Sequence, residues 1–67
     1  MAKIQLNGKQ LKINNNLSIK DLLKKYKLNE RKIAIEINGM ILPKNHYKKK
    51  KIKNKDKIEI VQFIGGG

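Results

Sequence analysis

Residues 3–13 alternate between polar and apolar side chains, and Asn7-Gly8 interrupts the alternation once. This dipeptide is the preferred pair for a two-residue type I′ turn, because both positions adopt positive φ. A loop of two residues pairs Ile4 with Leu11 across the strands. The residues that then share one face are Ile4, Leu6, Leu11 and Ile13. The pattern therefore predicts a β-hairpin with one apolar face.

Residues 17–28, with the sequence LSIKDLLKKYKL, change to a helical period. Ser18 is a favourable N-cap, and Asp21 lies three residues later, as in a capping box. Leu17 and Leu22 occupy the two positions of a hydrophobic staple. The apolar stripe at i, i+3, i+4 and i+7 spacing consists of Ile19, Leu22, Leu23 and Tyr26. We predict an amphipathic helix that buries this stripe.

Residues 33–42 repeat the hairpin pattern, with Asn38-Gly39 as the turn. The apolar residues on one face are Ile35, Ile37, Met40 and Leu42. Pro43 cannot donate to a ladder and ends the second strand. In the polar connection that follows, residues 44–57, Tyr47 and Ile52 are the predicted anchors to the core.

The last apolar segment, residues 57–64, has β-branched residues on both faces. Ile58 and Ile60 point one way, while Glu59, Val61 and Phe63 point the other. Such a strand is central in a sheet or meets a partner. The element order ββαβββ predicts a two-layer α+β domain in which one helix packs on a mixed β-sheet.

Composition narrows the functional classes. The length of 67 residues predicts one domain. The chain has no cysteine, and His46 is its single histidine, so we expect neither a disulfide nor a metal site. A net charge of +12 is compatible with nucleic-acid binding. However, Arg31 is the only arginine among 17 basic residues, and the three aromatic residues are scattered, so both features argue against nucleic-acid binding.

Enzymatic activity is not predicted, because the sequence offers no nucleophile with a nearby base and no glycine-rich phosphate loop. Ser18 is accounted for as a cap, and Glu36 and Glu59 are most simply solvent-facing strand residues. No apolar run approaches the ~18 residues of a membrane span, and the start lacks the apolar stretch of a secretory signal. We therefore expect a cytoplasmic protein with no membrane partner.

The sequence ends with VQFIGGG, a strand followed by three glycines. Glycine has no Cβ, so a flexible tail of residues 65–67 can thread a narrow channel and expose its terminal carbonyl. A free carboxylate on Gly67 is a poor electrophile, and acyl chemistry there requires activation, for instance as an acyl-adenylate. Because the chain has no cysteine, any sulfur would reside on the terminal acyl group.

Three segments, IQLNGK, AIEINGMILPK and KDKIEIVQFIGGG, together with the total length, give a resemblance that covers essentially the whole chain. They resemble the ubiquitin-like β-grasp fold and, within it, ThiS, the sulfur carrier family of thiamine biosynthesis. The resemblance implies a β-grasp domain of residues 1–64 and the flexible tail 65–67. Family members often carry Asp-Gly-Asp where this chain has Asn54-Lys55-Asp56, so the turn there is expected to differ.

The resemblance also implies a function in which the chain is acted upon. A ThiF-like adenylyltransferase uses Mg-ATP to adenylate Gly67, sulfur from a donor such as a cysteine desulfurase system gives a thiocarboxylate, and a ThiG-like thiazole synthase consumes it. Gly65 and Gly66 thread the partner's active site. The chain itself binds no cofactor or metal. We predict that Val61, Phe63 and Ile64 form an apolar docking patch; the alternative is that they are ordinary core.

Other interpretations remain open at this point. The run of residues 48–51 is a solvated loop or, alternatively, steers the carrier toward acidic partner surfaces. The related sulfur carrier of molybdopterin synthase is the nearest functional alternative. From other classes, the alternatives are a small basic nucleic-acid-binding domain and a β-grasp interaction module with an inert tail.

Overall fold

In the computed structural model, residues 1–63 are described, and five strands within them form one mixed sheet with a helix on one face. The element bounds are Ala2–Leu6 (β1), Lys9–Ile13 (β2), Ile19–Lys25 (α1), Ile33–Ile37 (β3), Met40–Ile41 (β4) and Lys57–Gln62 (β5). The order of strands is β2-β1-β5-β3-β4. The predicted element order ββαβββ is confirmed. Our predictions for Ile64 and for residues 65–67 lie outside the described residues.

Both predicted hairpins form with the predicted turns. Ile4 pairs with Leu11 in the first, and Ile37 pairs with Met40 in the second. Asn7 and Asn38 have φ of 49° and 52°, and the glycine after each is also at positive φ, as a type I′ turn requires. The second hairpin is short because β4 ends at Ile41, just before Leu42 and Pro43.

The helix begins as predicted but ends earlier. Ser18 caps it, and the reciprocal capping box with Asp21 is present. These hydrogen bonds from Ser18 hold the pKa of the Asp21 carboxyl below its ordinary value, and Lys51 and Lys24 lower it further. The last helical residue is Lys25, because Lys27 turns the chain with φ of 57°. As a result Tyr26 is 42% exposed, and its predicted place in the buried stripe is wrong.

The connection between β4 and β5 packs on the start of α1. The backbone N–H groups of Ile19 and Lys20 donate to the carbonyls of Lys50 and Tyr47 at 2.9 and 3.0 Å. The first N–H groups of a helix have no partner within it, so the connection satisfies donors that would otherwise be unpaired. Tyr47, 1% exposed, anchors the connection in the core as predicted, and so does Ile52.

The core lies between α1 and one face of the sheet. The buried residues are Ala2, Ile4, Ile13, Ile19, Leu22, Leu23, Ile33, Ile35, Ile37, Tyr47, Ile52 and Ile58. Along β3 the buried isoleucines alternate with half-buried Ala34 and Glu36, which point away from the helix. The sheet therefore has a covered face and an open face. Among residues 1–63 no buried side-chain nitrogen or oxygen lacks a hydrogen-bond partner.

β5 is the central strand, as its two-sided apolar character predicts. It runs parallel to β1, with Leu6 opposite Ile58, and antiparallel to β3. Its described part ends at Gln62, two residues before the predicted boundary. Within residues 1–63, the helices are too short and too polar to cross a lipid bilayer.

Candidate functional site

The open face of the sheet carries several apolar side chains over β5, β3 and β4. Val61 lies opposite Ala34 on β3, and Ile41 on β4 lies opposite Glu36, so all of them point away from α1. Phe63 follows β5 directly, and its N–H donates to the carbonyl of Lys32 at 2.8 Å. We call the group Ala34, Ile41, Val61 and Phe63 the apolar patch.

The apolar patch is open to solvent in the isolated chain. Val61 is 59% exposed, Phe63 51% and Ile41 71%. The interpretation of Val61 and Phe63 as ordinary core is therefore wrong. Large exposed apolar side chains that lie together are typical of contact surfaces. The third residue of the predicted docking patch, Ile64, lies outside the described residues.

A pair of glutamates borders the apolar patch. Glu36 on β3 and Glu59 on β5 are directly opposite each other. Both are solvent-facing, as predicted, with Glu36 half-buried and Glu59 exposed. Neither forms an ion pair in the described chain, where the one ion pair joins Lys20 to Glu30 at 3.7 Å on the covered side.

The opposite half of the open face is basic. Lys3 on β1 lies opposite Lys12 on β2, and with Lys55 they line one shallow groove. The run at residues 48–51 is elsewhere, in the connection that packs on α1, where Lys50 is half-buried and its three neighbours in the run are exposed. The open face therefore carries only positive charge over β1 and β2, whereas over β5, β3 and β4 it carries the two glutamates and the apolar patch, with Lys57 beside the glutamates.

Two asparagine side chains hold β5 in the sheet. Asn7 Oδ1 accepts from the N–H of Ile60 at 2.7 Å, and Asn7 Nδ2 donates to the carbonyl of Ile60 at 3.3 Å. Asn38 Oδ1 accepts from the N–H of Lys57 at 2.9 Å, and Asn38 Nδ2 donates to Asp56 at 3.1 Å. Both asparagines belong to the hairpin turns, so the turns also fix the strand that leads to the chain end.

Sequence reasoning missed three features of this surface: the exposed Ile41, the pairing of Glu36 with Glu59, and the hydrogen bonds that the side chains of Asn7 and Asn38 form with β5 and the residue before it. The two-residue turn at Asn38-Gly39 fixes the register of its hairpin and so places Ile41 on the open face, which means that the sequence could have predicted the position of Ile41. No local signal gives the register between β3 and β5 that brings Glu36 to Glu59. Within residues 1–63, no three His, Asp or Glu side chains meet in a group that could hold a metal ion.

Comparison with known proteins identifies the family. The ThiS family model matches residues 4–67. The chain belongs to the ThiS family. It is 40% identical over 65 residues to the sulfur carrier protein ThiS of Bacillus subtilis, covering 96% of this chain and 98% of that carrier.

A solved ThiS structure has the same fold. The crystal structure of the thiamine biosynthesis protein ThiS from Geobacter metallireducens matches with a TM-score of 0.82 at 26% identity. The match covers 97% of this chain and 99% of the other. The fold is therefore the ubiquitin-like β-grasp that the sequence predicts.

A larger protein contains a segment similar to this chain. The thiazole synthase of Paramagnetospirillum magneticum is 37% identical over 65 residues, which is 97% of this chain. The same match covers only 20% of the synthase. The remainder of that enzyme has no counterpart in this chain.

Proposed function

We propose that this chain is a sulfur carrier of thiamine biosynthesis and that the carboxylate of Gly67 carries the sulfur. The observation that supports this most directly is the extent of the family match, which runs through residue 67. The Bacillus sulfur carrier is similar over nearly its whole length. The chain is then a substrate for other enzymes and not itself an enzyme.

The proposed chemistry has two steps at the terminal acyl carbon. First, a carboxylate oxygen of Gly67 attacks the α-phosphate of ATP, and pyrophosphate leaves to give an acyl-adenylate. Second, the outer sulfur of a donor persulfide attacks the acyl carbon and displaces AMP, which gives an acyl disulfide. A thiol then attacks the donor sulfur of that disulfide, so the S–S bond breaks, the thiocarboxylate leaves and the donor and the thiol end as a disulfide. ATP and Mg²⁺ are held by the activating adenylyltransferase, and this chain binds no cofactor.

The role of the fold is to present the tail. β5 lies between β1 and β3, and the bond from Phe63 to Lys32 extends its support to the last described residue. Gly65 and Gly66, with no side chains, would follow into the active site of the activating enzyme. Three extended residues reach ~10 Å, enough to enter such a site.

Three partners follow from this proposal. They are a ThiF-like adenylyltransferase, a sulfur donor such as a cysteine desulfurase system, and a ThiG-like thiazole synthase. The thiazole synthase of Paramagnetospirillum supports the last of these, because one part of it resembles this chain. A carrier segment that is covalently linked to the enzyme that uses its sulfur has a high effective concentration at the active site of that enzyme. We place these reactions in the cytoplasm.

We further propose that Val61 and Phe63, followed by Ile64, are the apolar part of the docking surface. Their exposure in the isolated chain supports this role. Burying Phe63 and Val61 against a partner removes apolar surface from water, which favours association at about 25 cal/mol per Å² before the costs of binding.

The test is intact mass spectrometry after incubation with the cognate adenylyltransferase, ATP and a sulfur source. We expect a mass increase that equals replacement of one oxygen by one sulfur, located in the C-terminal peptide. The control reactions lack ATP or use a chain without Gly67, and both should give no increase. A modification on a lysine would contradict the proposal, as would sulfur transfer to a chain without Gly67.

A second assay distinguishes the alternatives. The thiocarboxylate form should supply sulfur to thiazole synthase and not to molybdopterin synthase. The reverse preference would favour the molybdopterin-type carrier. Tight binding to RNA or DNA at physiological salt would favour a nucleic-acid-binding domain instead.

A further inference from the structure

The pairing of Glu36 with Glu59 is unusual for this chain. The chain has five acidic residues against 17 basic ones, and two of the five lie directly opposite each other on neighbouring strands. Side chains at such positions have Cβ atoms about 5 Å apart, and like charges there are unfavourable. The lysine pair on the same face is expected from a lysine-rich composition, whereas the glutamate pair is not.

Neither Glu36 nor Glu59 forms an ion pair within residues 1–63. Lys55 and Lys57 line the same shallow groove as Glu36 and Glu59, but neither forms an ion pair with them. By contrast, Asp21 and Asp56 each accept hydrogen bonds from backbone N–H groups, and Glu30 has an ion pair with Lys20. Of the five acidic residues, Glu36 and Glu59 are thus the two whose side chains have neither a hydrogen bond nor an ion pair among residues 1–63.

The surroundings of the glutamate pair are those of a contact surface. Next along β5 and β3 is the pair Val61 and Ala34, and beside Glu36 on β4 is Ile41, 71% exposed. A partner that covers these apolar side chains also removes water from the two carboxylates. A charge in such a site needs an opposite charge, because an unpaired carboxylate is costly to desolvate.

We propose that Glu36 and Glu59 together bind one guanidinium group presented by the protein that activates Gly67. Arginine fits better than lysine, because its planar group offers five donors and can reach two carboxylates at once. The partner's apolar side chains would surround this contact on the apolar patch. The inference rests on the proposed function, since the activating enzyme is the partner to which it applies.

Charge complementarity also sets the orientation of that partner. The face is basic over Lys3 and Lys12, whereas its acidic groups, Glu36 and Glu59, lie together in the other half, beside Lys55 and Lys57. A partner with an arginine over one half and acidic groups over the other docks in one orientation, which points the chain end toward its active site. A second copy of this chain fits poorly, because two molecules of net charge +12 repel each other.

The test compares Glu36→Gln/Glu59→Gln with the natural chain as substrates of the activating enzyme. We expect KM for the carrier to rise about tenfold at low salt, while kcat at saturation is unchanged because the tail is untouched. The midpoint of thermal unfolding should stay the same or rise, because the like charges are removed. If the two glutamates had only a structural role, the double variant would have a lower midpoint of thermal unfolding together with a higher KM.

The matched control is Glu30→Gln, which removes an acidic side chain on the covered side of the sheet and should leave KM unchanged. An unchanged KM in the double variant, with the natural chain adenylated normally, contradicts this inference alone. A loss of stability that accompanies the rise in KM also contradicts it. Failure of the natural chain to be adenylated at all contradicts both this inference and the proposed function.

Discussion

The side chain of Asn7 binds both backbone polar groups of Ile60, accepting from its N–H at 2.7 Å and donating to its carbonyl at 3.3 Å. The last strand pair between β1 and β5 is Leu6 with Ile58. Asn7 then leaves β1 for the hairpin turn, with φ of 49°. Its side-chain amide therefore takes the place of a further strand residue and extends the pairing of β5 toward the chain end.

We predict that Asn7→Gly weakens this end of the sheet without disturbing the turn. Glycine adopts the positive φ of the position, so only the two side-chain hydrogen bonds are lost. The free energy of unfolding should fall by about 1 kcal/mol. Hydrogen exchange should locate the effect, with faster exchange of the Ile60 amide.

The matched control for this prediction is Asn16→Gly. Asn16 also has a positive φ, 65°, and its side chain makes no hydrogen bond within the described residues. This variant should be as stable as the natural chain or slightly more stable. Equal destabilisation by both variants would show that the Asn7 side chain contributes nothing beyond its turn conformation.

Replacement of Phe63 by serine should separate folding from partner recognition. Phe63 is 51% exposed, so the change removes little buried area from the isolated chain. We expect the free energy of unfolding to change by less than about 1 kcal/mol and the rate of adenylation at low carrier concentration to fall at least about tenfold.

The control is Met40→Ser. Met40 is 74% exposed but lies on the covered side of the sheet by its pairing with Ile37. It should leave adenylation unchanged. If Phe63→Ser impairs folding and adenylation equally, the docking role of Phe63 is wrong.

Lys55→Gly should stabilise the domain. Lys55 precedes β5 in a turn with φ of 73°, a conformation that favours glycine. It occupies the middle of Asn54-Lys55-Asp56. Its backbone N–H donates to the carbonyl of Lys3, and glycine keeps this bond. We expect a gain of about 0.5–1 kcal/mol in the free energy of unfolding.

Lys53→Gly is the control for that gain. Lys53 lies in the same segment with negative φ, and its N–H donates to Asp56 at 2.8 Å, a bond that glycine also keeps. Without a strained conformation to relieve, the substitution should be neutral or destabilising. A gain of similar size there would attribute the effect to loss of positive charge.

Acid should destabilise the start of the helix through Asp21. Hydrogen bonds from Ser18 lower the pKa of this carboxyl from its ordinary value of 3.8. A depressed pKa contributes stability above the unfolded value, and this contribution is lost as the pH falls through the lower, folded value. The comparison is thermal unfolding of the natural chain and Asp21→Asn between about pH 5 and about pH 2. The natural chain should be the more stable at the upper end, and this advantage should shrink toward the lower end.

The local elements were predictable from sequence because local chemistry determines them. Asn-Gly dipeptides fix both hairpin turns and their registers, and Ser18 with Asp21 fixes the helix start. The helix end was less clear, because a lysine, and not glycine, takes the left-handed conformation at residue 27. The exposure of Tyr26 follows from that early end.

The candidate site was predictable only in part. The alternation of side chains along β5 placed Val61 and Phe63 on the sheet face that Ile58 does not occupy. Whether that face is covered depends on where the single helix packs. The pairing of Glu36 with Glu59 depends on the register of strands separated by a long connection, and no short-range signal specifies it. The hydrogen bonds that the side chains of Asn7 and Asn38 form with β5 and the residue before it were not predicted, because the type I′ turns alone account for an asparagine at both positions.

The central claim is that the acyl carbon of Gly67 carries the sulfur. The most direct measurement adds one alanine after Gly67 and follows sulfur transfer to thiazole in the reconstituted reaction, with mass spectrometry to verify that the alanine remains attached. We expect no thiocarboxylate and no thiazole from the extended chain, while its unfolding transition stays the same. Undiminished thiazole formation from a chain that keeps its added alanine would contradict the account.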